Sequence, residues 1–237
     1  MANSLDLEEQ EQLEQVKHFW KQYGSVITWV MLIVLVVLAG YNLYHYWQRR
    51  QATQAAALFD EVLRTVQSND KGDKGDKGDK GDTTKTDRVF ADMKDRFAST
   101  TYAWQTGLMV AKQYFQAGKP DAAQAALTWV AAQSSDPGYQ AIAKLRLAAV
   151  LADKKDYAAA LNQLSGTFPA SFDALVSDRR ADVMHLQGNK AGAVAEYQKA
   201  YRLLDAHADY RRFIAAKLNA LGVDESQRDV QAKSTTP

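Results

Sequence analysis

Hydrophobic and polar residues follow three distinct patterns along this chain of 237 residues. From Gln22 to Gln48 there is no Asp, Glu, Lys or Arg, and residues 26–40 are almost wholly apolar. Before and after that interval, apolar residues recur every three or four positions, which is the period of an amphipathic helix. Residues 71–82, in contrast, contain no apolar side chain. The pattern predicts an all-α protein in which one uniformly apolar helix precedes a series of amphipathic helices.

The apolar interval is long enough to cross a membrane. About 20 helical residues span the roughly 30 Å of a hydrocarbon core, and we place a transmembrane helix at residues 25–46. Tyrosine and tryptophan flank both ends, where such rings favour the headgroup region. A buried core helix is one alternative, although a chain of this size rarely hides so long an apolar helix. A cleaved signal peptide is another, but acidic residues 6–14 stand where such peptides carry a positive segment.

The first 24 residues form a polar N-terminal tail. One helical stripe of apolar residues predicts a short amphipathic helix that leads into the membrane. The acidic head of this tail is either a docking segment for a partner or a solvated leader. Charge counting does not orient the span, because Lys17 and Lys21 on one side match Arg49 and Arg50 on the other. The residues of the apolar stripe are Leu13, Val16, Phe19, Trp20 and Tyr23.

Four Lys-Gly-Asp triplets occupy residues 71–82. A segment without apolar residues and with glycine at every third position cannot bury a hydrophobic face. We therefore predict a flexible insertion at residues 69–87. Four triplets without proline are too few for collagen. The lysine beside every aspartate and the missing EF-hand spacing argue against calcium binding.

The chain after the insertion repeats one construction three times. A helix, a short polar turn and a second helix that opens with alanines recur around Ala123, Ala160 and Ala193. In each copy a bulky residue follows that alanine by four positions, and separations of 37 and 33 residues bracket the 34 of tetratricopeptide repeats. We predict a tetratricopeptide-like α-hairpin domain over residues 47–225, opening with a helix at 52–67, and a disordered tail at 226–237. An unrelated α-hairpin bundle is the alternative.

Composition narrows the classes of function. Lys+Arg 29 against Asp+Glu 28 leaves a net charge of +1, so no charge imbalance favours nucleic acid as a partner. The absence of cysteine excludes disulfides, thiolate metal sites and cysteine nucleophiles. The sequence has no His-x-x-x-His pair, no Gly-x-Ser-x-Gly elbow and no phosphate-binding loop. We therefore predict a protein that is not an enzyme, with no catalytic residues, metal site or cofactor.

Stacked α-hairpins bind partners along the concave face that their first helices line. By repeat register, five polar side chains project toward that face, where they either meet a partner or form ion pairs within the domain. The basic and amide residues of the known carboxylate clamp do not occur at the matching positions, so recognition of an acidic chain terminus is not predicted. The five candidates for partner binding are Lys112, Arg146, Arg179, Asp182 and His185.

The whole chain resembles the YfgM-type family of ancillary subunits of the bacterial Sec translocon. The resemblance rests on the acidic tail with Gln12-Leu13-Glu14-Gln15-Val16-Lys17-His18-Phe19, the single span, Leu145-Arg146-Leu147-Ala148 and Ala174-Leu175-Val176-Ser177-Asp178-Arg179-Arg180-Ala181-Asp182. It implies a single-pass protein of the bacterial inner membrane, with tail residues 1–24 in the cytoplasm and the repeat domain in the periplasm.

The same resemblance implies a set of partners. These are the SecYEG translocon, a membrane-anchored periplasmic prolyl isomerase-like chaperone, and the exported client proteins that are handed to the folding machinery. The tail of the family is also linked to a cytoplasmic stress-response regulator. A periplasmic repeat scaffold that coordinates envelope or cell-division assembly is the alternative function.

Overall fold

The computed structural model describes residues 7–70, 83–205 and 207–224. Within these ranges the chain forms helices and no strand. The chain divides into two compact units, Met1–Thr53 and Gln54–Pro237. The predicted all-α class, with a long apolar N-terminal helix ahead of helical hairpins, is confirmed.

The first helix, α1 (Leu7–Asp70), runs through three segments that the sequence pattern predicts separately. These are the amphipathic lead-in, the apolar span and the helix at residues 52–67. They are continuous because no proline occurs between residues 7 and 70, so no backbone N–H is missing from the helical hydrogen bonds. The bounds of the membrane span, residues 25–46, stay a prediction, since one helix continues through both of them.

The apolar segment in α1 is exposed along its length. Its most apolar window has a mean hydropathy of 2.3, and none of that window is buried in the protein. Leu35 and Val37, for example, are 62% and 63% exposed. Since contact of apolar surface with water costs about 25 cal/mol per Å², lipid is the environment that suits this segment. The alternative of a buried core helix is not supported.

The second unit consists of the end of α1, a further helix and three helical hairpins, followed by a last helix. Each helix from α2 onward contacts the next one, and the first helices of successive hairpins contact each other. A single 3-10 turn, Ala170–Phe172, precedes the third hairpin. The helices are α2 (Thr84–Arg96), α3 (Thr101–Gln116), α4 (Pro120–Gln133), α5 (Pro137–Asp153), α6 (Tyr157–Gln163), α7 (Asp173–Leu186), α8 (Lys190–Leu203) and α9 (Asp209–Ala220).

Polar side chains cap the N-termini of four of the six hairpin helices. Each accepts a hydrogen bond from a backbone N–H in the first turn, which otherwise has no partner within the helix. Proline at the first position of α4 and α5 lacks that N–H and has a helical φ. The capping residues are Thr100 for α3, Asp136 for α5, Asp156 for α6 and Asn189 for α8.

The alanines that mark the repeats are packing positions. Ala123, Ala160 and Ala193 are each 0% exposed. A small side chain at this point lets the two helices of a hairpin approach closely, and a larger one fills the space beside it. The three hairpins predicted from the sequence are therefore confirmed. The bulky residues four positions later, Leu127, Leu164 and Tyr197, are also buried.

The predicted insertion at residues 69–87 overlaps regular structure at both ends. Helix α1 ends at Asp70 and α2 begins at Thr84. Thr86 is buried, and Asp87 accepts a hydrogen bond from the hydroxyl of Tyr114 on α3. The predicted end at residue 87 is wrong, because these polar residues take part in tertiary contacts that composition does not reveal. The triplets at 71–82 and the tail at 226–237 lie outside the described residues.

Candidate functional site

The five predicted partner-binding residues lie on the first helices of the three hairpins. Lys112 is on α3, Arg146 is on α5, and the other three are on α7. Lys112 and His185 are exposed, and His185 lies in the last turn of α7. Neither of these two lines the depression that Arg146 and Arg179 share.

Arg146 and Arg179 line one depression of about 180 Å³ between α5, α7 and α9. We call it the arginine pocket. It lies entirely within the second unit. The remaining lining is mostly apolar and consists of Ile142, Leu145, Phe172, Leu175, Asp178 and Tyr210.

Arg146 has a backbone partner but no carboxylate partner among the described residues. Its Nη1 donates to the carbonyl oxygen of Leu108 on α3 over 3.2 Å. Burial lowers the pKa of the Arg146 guanidinium, since desolvation disfavours the charged form. An arginine keeps its proton nonetheless, so the side chain brings a positive charge to the pocket wall.

Two aspartates on α7 attach the neighbouring helices to it. Asp178 is 3% exposed, and its two oxygens accept from the Tyr210 hydroxyl over 2.6 Å and from Lys217 Nζ over 2.7 Å. One turn later, Asp182 Oδ1 accepts from the same Lys217 Nζ over 2.7 Å and from the Tyr197 hydroxyl over 2.6 Å. Lys217 and Tyr210 lie on α9, and Tyr197 lies on α8. This polar cluster therefore joins α7, α8 and α9.

Arg179 takes part in the same cluster through Asp182. Its Nη1 lies 3.3 Å from Asp182 Oδ2, at the spacing of one helical turn. The Asp182 carboxylate thus serves an arginine, a lysine and a tyrosine within the domain. The arrangement corresponds to the expected alternative of an ion pair within the domain, and contact of Asp182 with a partner stays a prediction.

The tyrosines of the cluster remain protonated donors over a wide pH range. Burial, and then the hydrogen bond to Asp182, raise the pKa of Tyr197. Burial and the hydrogen bond to Asp178 raise the pKa of Tyr210 in the same way. Both phenols favour the neutral form because a phenolate would be desolvated beside a carboxylate.

Asp178, Tyr210 and Lys217 belong to the site without being predicted from the sequence. The four-residue spacing of Asp178 and Asp182 puts both carboxylates on one helix face, which is a signal that the sequence contains. Tyr210 and Lys217 lie more than 30 positions away along the chain. Their presence depends on the docking of α9, which no local pattern reveals.

A wider depression of about 530 Å³ lies along α4. The cation in its lining, Lys154, already donates to Asp121 Oδ1 and Gln124 Oε1, each over 2.7 Å. This lysine therefore already has a carboxylate partner within the domain, unlike Arg146. The residues that line it are Asp121, Gln124, Ala125, Thr128, Trp129, Ala132 and Lys154. In the part of the chain that the structure describes, no three His, Asp or Glu side chains are grouped as metal ligands.

Known proteins match this chain along most of its length. The ancillary SecYEG translocon subunit of Neisseria gonorrhoeae is 28% identical over 218 residues, which are 91% of this chain and 98% of that protein. The protein of the same name from Haemophilus influenzae is 26% identical over 200 residues, with coverages of 82% and 89%. The one from Escherichia coli is 24% identical over 218 residues, with coverages of 91% and 97%. The resemblance to YfgM-type subunits is confirmed.

No solved structure matches the chain significantly. A family model described as a tetratricopeptide repeat-like domain matches residues 17–223. That range takes in most of α1 and all of the helices from α2 to α9. The chain therefore belongs to the tetratricopeptide repeat-like domain family.

Proposed function

We propose that this protein is a membrane-anchored adaptor that associates with the Sec translocon and acts by binding rather than by catalysis. One observation carries the proposal: relatives named ancillary SecYEG translocon subunit match the chain over 97% and 98% of their own lengths. The family model likewise includes both the apolar segment and the hairpins. The exposed apolar helix supports a single-pass anchor in the inner membrane.

The proposed topology follows the resemblance to YfgM-type subunits. Residues 1–24 lie in the cytoplasm, residues 25–46 cross the membrane and the hairpin domain lies in the periplasm. On that side the domain meets exported client proteins and a membrane-anchored prolyl isomerase-like chaperone, and it assists the transfer of clients to that chaperone. The cytoplasmic tail is available to a stress-response regulator. Stacked hairpins suit this role because they present a long surface to extended or helical segments.

The topology is tested by adding protease to the outer face of spheroplasts of the native organism. We expect digestion of the domain after Arg49 and survival of a fragment that contains the tail and the span. The mass of the undigested protein also shows whether the segment before Gly24 is retained, as an uncleaved anchor requires. A fully protected domain, or a mature chain without its span, would contradict the proposed topology.

Association with the translocon is tested by cross-linking in intact membranes. A photoreactive residue is placed in the span of the full chain, and a matched chain carries an unrelated span in place of residues 25–46. We expect cross-links to SecY, SecE or SecG with the native span and their loss in the exchanged chain. Capture of no channel subunit by the native chain would contradict the proposal. Septal enrichment of a fluorescent fusion would instead favour the envelope or cell-division scaffold.

A further inference from the structure

The arginine pocket has more positive than negative charge. Arg146 and Arg179 line it, and Lys217 reaches the aspartates behind it. Among the described residues, the carboxylates that pair with these cations are Asp178 and Asp182. Lys217 pairs with both aspartates, and Arg179 also pairs with Asp182. Arg146 is therefore the cation of this group that has no carboxylate partner among the described residues.

One hydrogen-bond donor of the pocket lacks an acceptor. Arg179 Nε is buried, and no described group accepts from it. A buried N–H without an acceptor is unfavourable, and the guanidinium presents several donors in a planar fork that matches a carboxylate. The buried Nε is not accessible to a ligand, so the capacity of the pocket for an anion lies in the Arg146 guanidinium and in the part of Arg179 that lines the pocket.

The size and lining of the pocket restrict what that anion is. A volume of about 180 Å³ is smaller than the roughly 300–1,000 Å³ of pockets that hold whole small molecules, and it suits a side chain. Apolar residues lie beside the two arginines, of which Arg146 is exposed and Arg179 is half-buried, so one bound segment can meet both the charge and the apolar surface. No amide side chain lines the pocket to receive the peptide group of a chain terminus. The residues that form the apolar surround are Ile142, Leu145, Phe172 and Leu175.

We propose that the arginine pocket receives the side-chain carboxylate of an Asp or Glu in a partner peptide, whose neighbouring apolar residues pack on the pocket's apolar lining. The inference rests on the proposed binding function and names the chemistry of the bound segment. Arg146 supplies the uncompensated charge, and Arg179 adds a second guanidinium to the pocket lining. The partner is thus an acidic segment with apolar neighbours rather than a uniformly acidic one.

The test uses the full chain in detergent micelles and an array of random 12-residue peptides with blocked ends. We expect the bound peptides to be enriched in an Asp or Glu next to Leu, Ile, Val or Phe. A Glu→Gln change in the strongest of them should weaken binding by about two- to fivefold, as loss of a partly exposed ion pair does. A second array with free carboxyl ends separates side-chain from terminal carboxylates.

Variants of the chain assign the preference to the pocket. Arg146→Gln should abolish the acidic enrichment while apolar selection persists, and Arg146→Lys should keep part of it because the charge remains. Arg202→Gln is the matched control, since it removes an exposed arginine of α8 outside the pocket. Melting curves establish that the variants are folded. If the Arg146→Gln variant does not fold, Arg179→Lys serves as the second variant.

Several outcomes would overturn the proposal. They are the absence of peptide binding, selection without acidic residues, equal selection by the Arg146→Gln variant, and selection of free carboxyl ends alone. Each is distinguishable from failure of the proposed function, which is read from cross-links of the native chain to the channel. If acidic peptides are selected but those cross-links are absent, the proposal for the arginine pocket stands and the proposed association with the translocon is contradicted.

Discussion

The three hairpin turns show how single residues contribute to the fold. Each turn contains one residue with positive φ, at Gly118 (70°), Lys155 (64°) and Gly188 (85°). The N–H that follows it bonds to a carbonyl five residues earlier, as Asp156 does to Leu151 over 2.9 Å. Glycine adopts this conformation without strain, whereas a Cβ makes it unfavourable by roughly 1 kcal/mol. The second hairpin is therefore strained at Lys155.

Replacing Lys155 by glycine should stabilise the protein. We expect the Lys155→Gly variant to gain about 0.5–1 kcal/mol in free energy of unfolding, because the strain exceeds the added backbone entropy of the unfolded chain. Chemical denaturation measures the change. The matched control is Gly118→Ala, which has no heavy atom within 4 Å of the new Cβ and should lose about 1 kcal/mol through φ alone. A destabilised Lys155→Gly variant would contradict this account.

At the scale of the element, helix packing explains a glycine inside α3. A Cβ at Gly107 would lie 2.4 Å from Val130 Cγ2 on α4 and 3.3 Å from Phe90 Cε2 on α2. Val130 is 0% exposed and its branched side chain is stiff. The glycine therefore permits the close contact of three helices at the start of the repeat domain.

The Gly107→Ala variant should be less stable although alanine favours helices. The propensity gain is about 1 kcal/mol, and forcing a methyl group into a packed core costs about 1–3 kcal/mol. We expect a net loss of up to about 2 kcal/mol in free energy of unfolding. In a double variant, Gly107→Ala with Val130→Ala, the shorter side chain at position 130 should relieve part of the clash. A Gly107→Ala variant more stable than the parent would contradict the close contact.

Lys217 on α9 bridges Asp178 and Asp182 on α7. Replacing it with methionine leaves Asp178 and Asp182 close together without the cation between them. Removal of one partner from a largely buried ion pair destabilises strongly, and we expect a loss of about 2–4 kcal/mol with reduced hydrogen-exchange protection of α9. Lys199→Met, at an exposed site on α8, is the control and should change stability by less than about 0.5 kcal/mol. Equal effects of the two variants would show that α9 does not depend on this contact.

At the scale of the whole molecule, tyrosine–aspartate hydrogen bonds recur between helices. Tyr114 donates to Asp87 between α3 and α2, and the Tyr197 and Tyr210 hydroxyls donate to aspartates of α7. Burial, reinforced by the aspartate, raises the pKa of all three tyrosines. The folded domain therefore keeps its tyrosine protons at a pH where the unfolded chain releases them.

This difference predicts loss of stability in alkali. The folded pKa values are raised above the ordinary value near 10, so the contribution is fully present below about pH 10 and decreases as pH rises toward the folded values. We expect the free energy of unfolding to fall steeply above about pH 10. A Tyr197→Phe variant should be less stable at neutral pH but show a shallower alkaline decline. An unchanged slope would contradict the contribution of Tyr197.

Local signals along the chain were sufficient for much of this protein. The apolar span is recognisable from its own sequence, because a segment that is apolar on all sides has the composition expected of a helix in lipid. The three hairpins are also encoded locally, because their apolar spacing, their helix caps and their turn residues act over three to six positions. Arg146 and Arg179, which line one pocket, were both predicted from repeat register alone.

Tertiary structure decided what links distant residues. Arg146 contacts the carbonyl of a residue 38 positions away, and Asp178 contacts Lys217 across 39 positions. No periodicity encodes such pairs, since each residue looks like an ordinary surface charge until the helices pack. The early start of α2, the docking of α9 and the unmatched charge of the arginine pocket follow from that packing, because burial and a nearby partner determine what a polar side chain does.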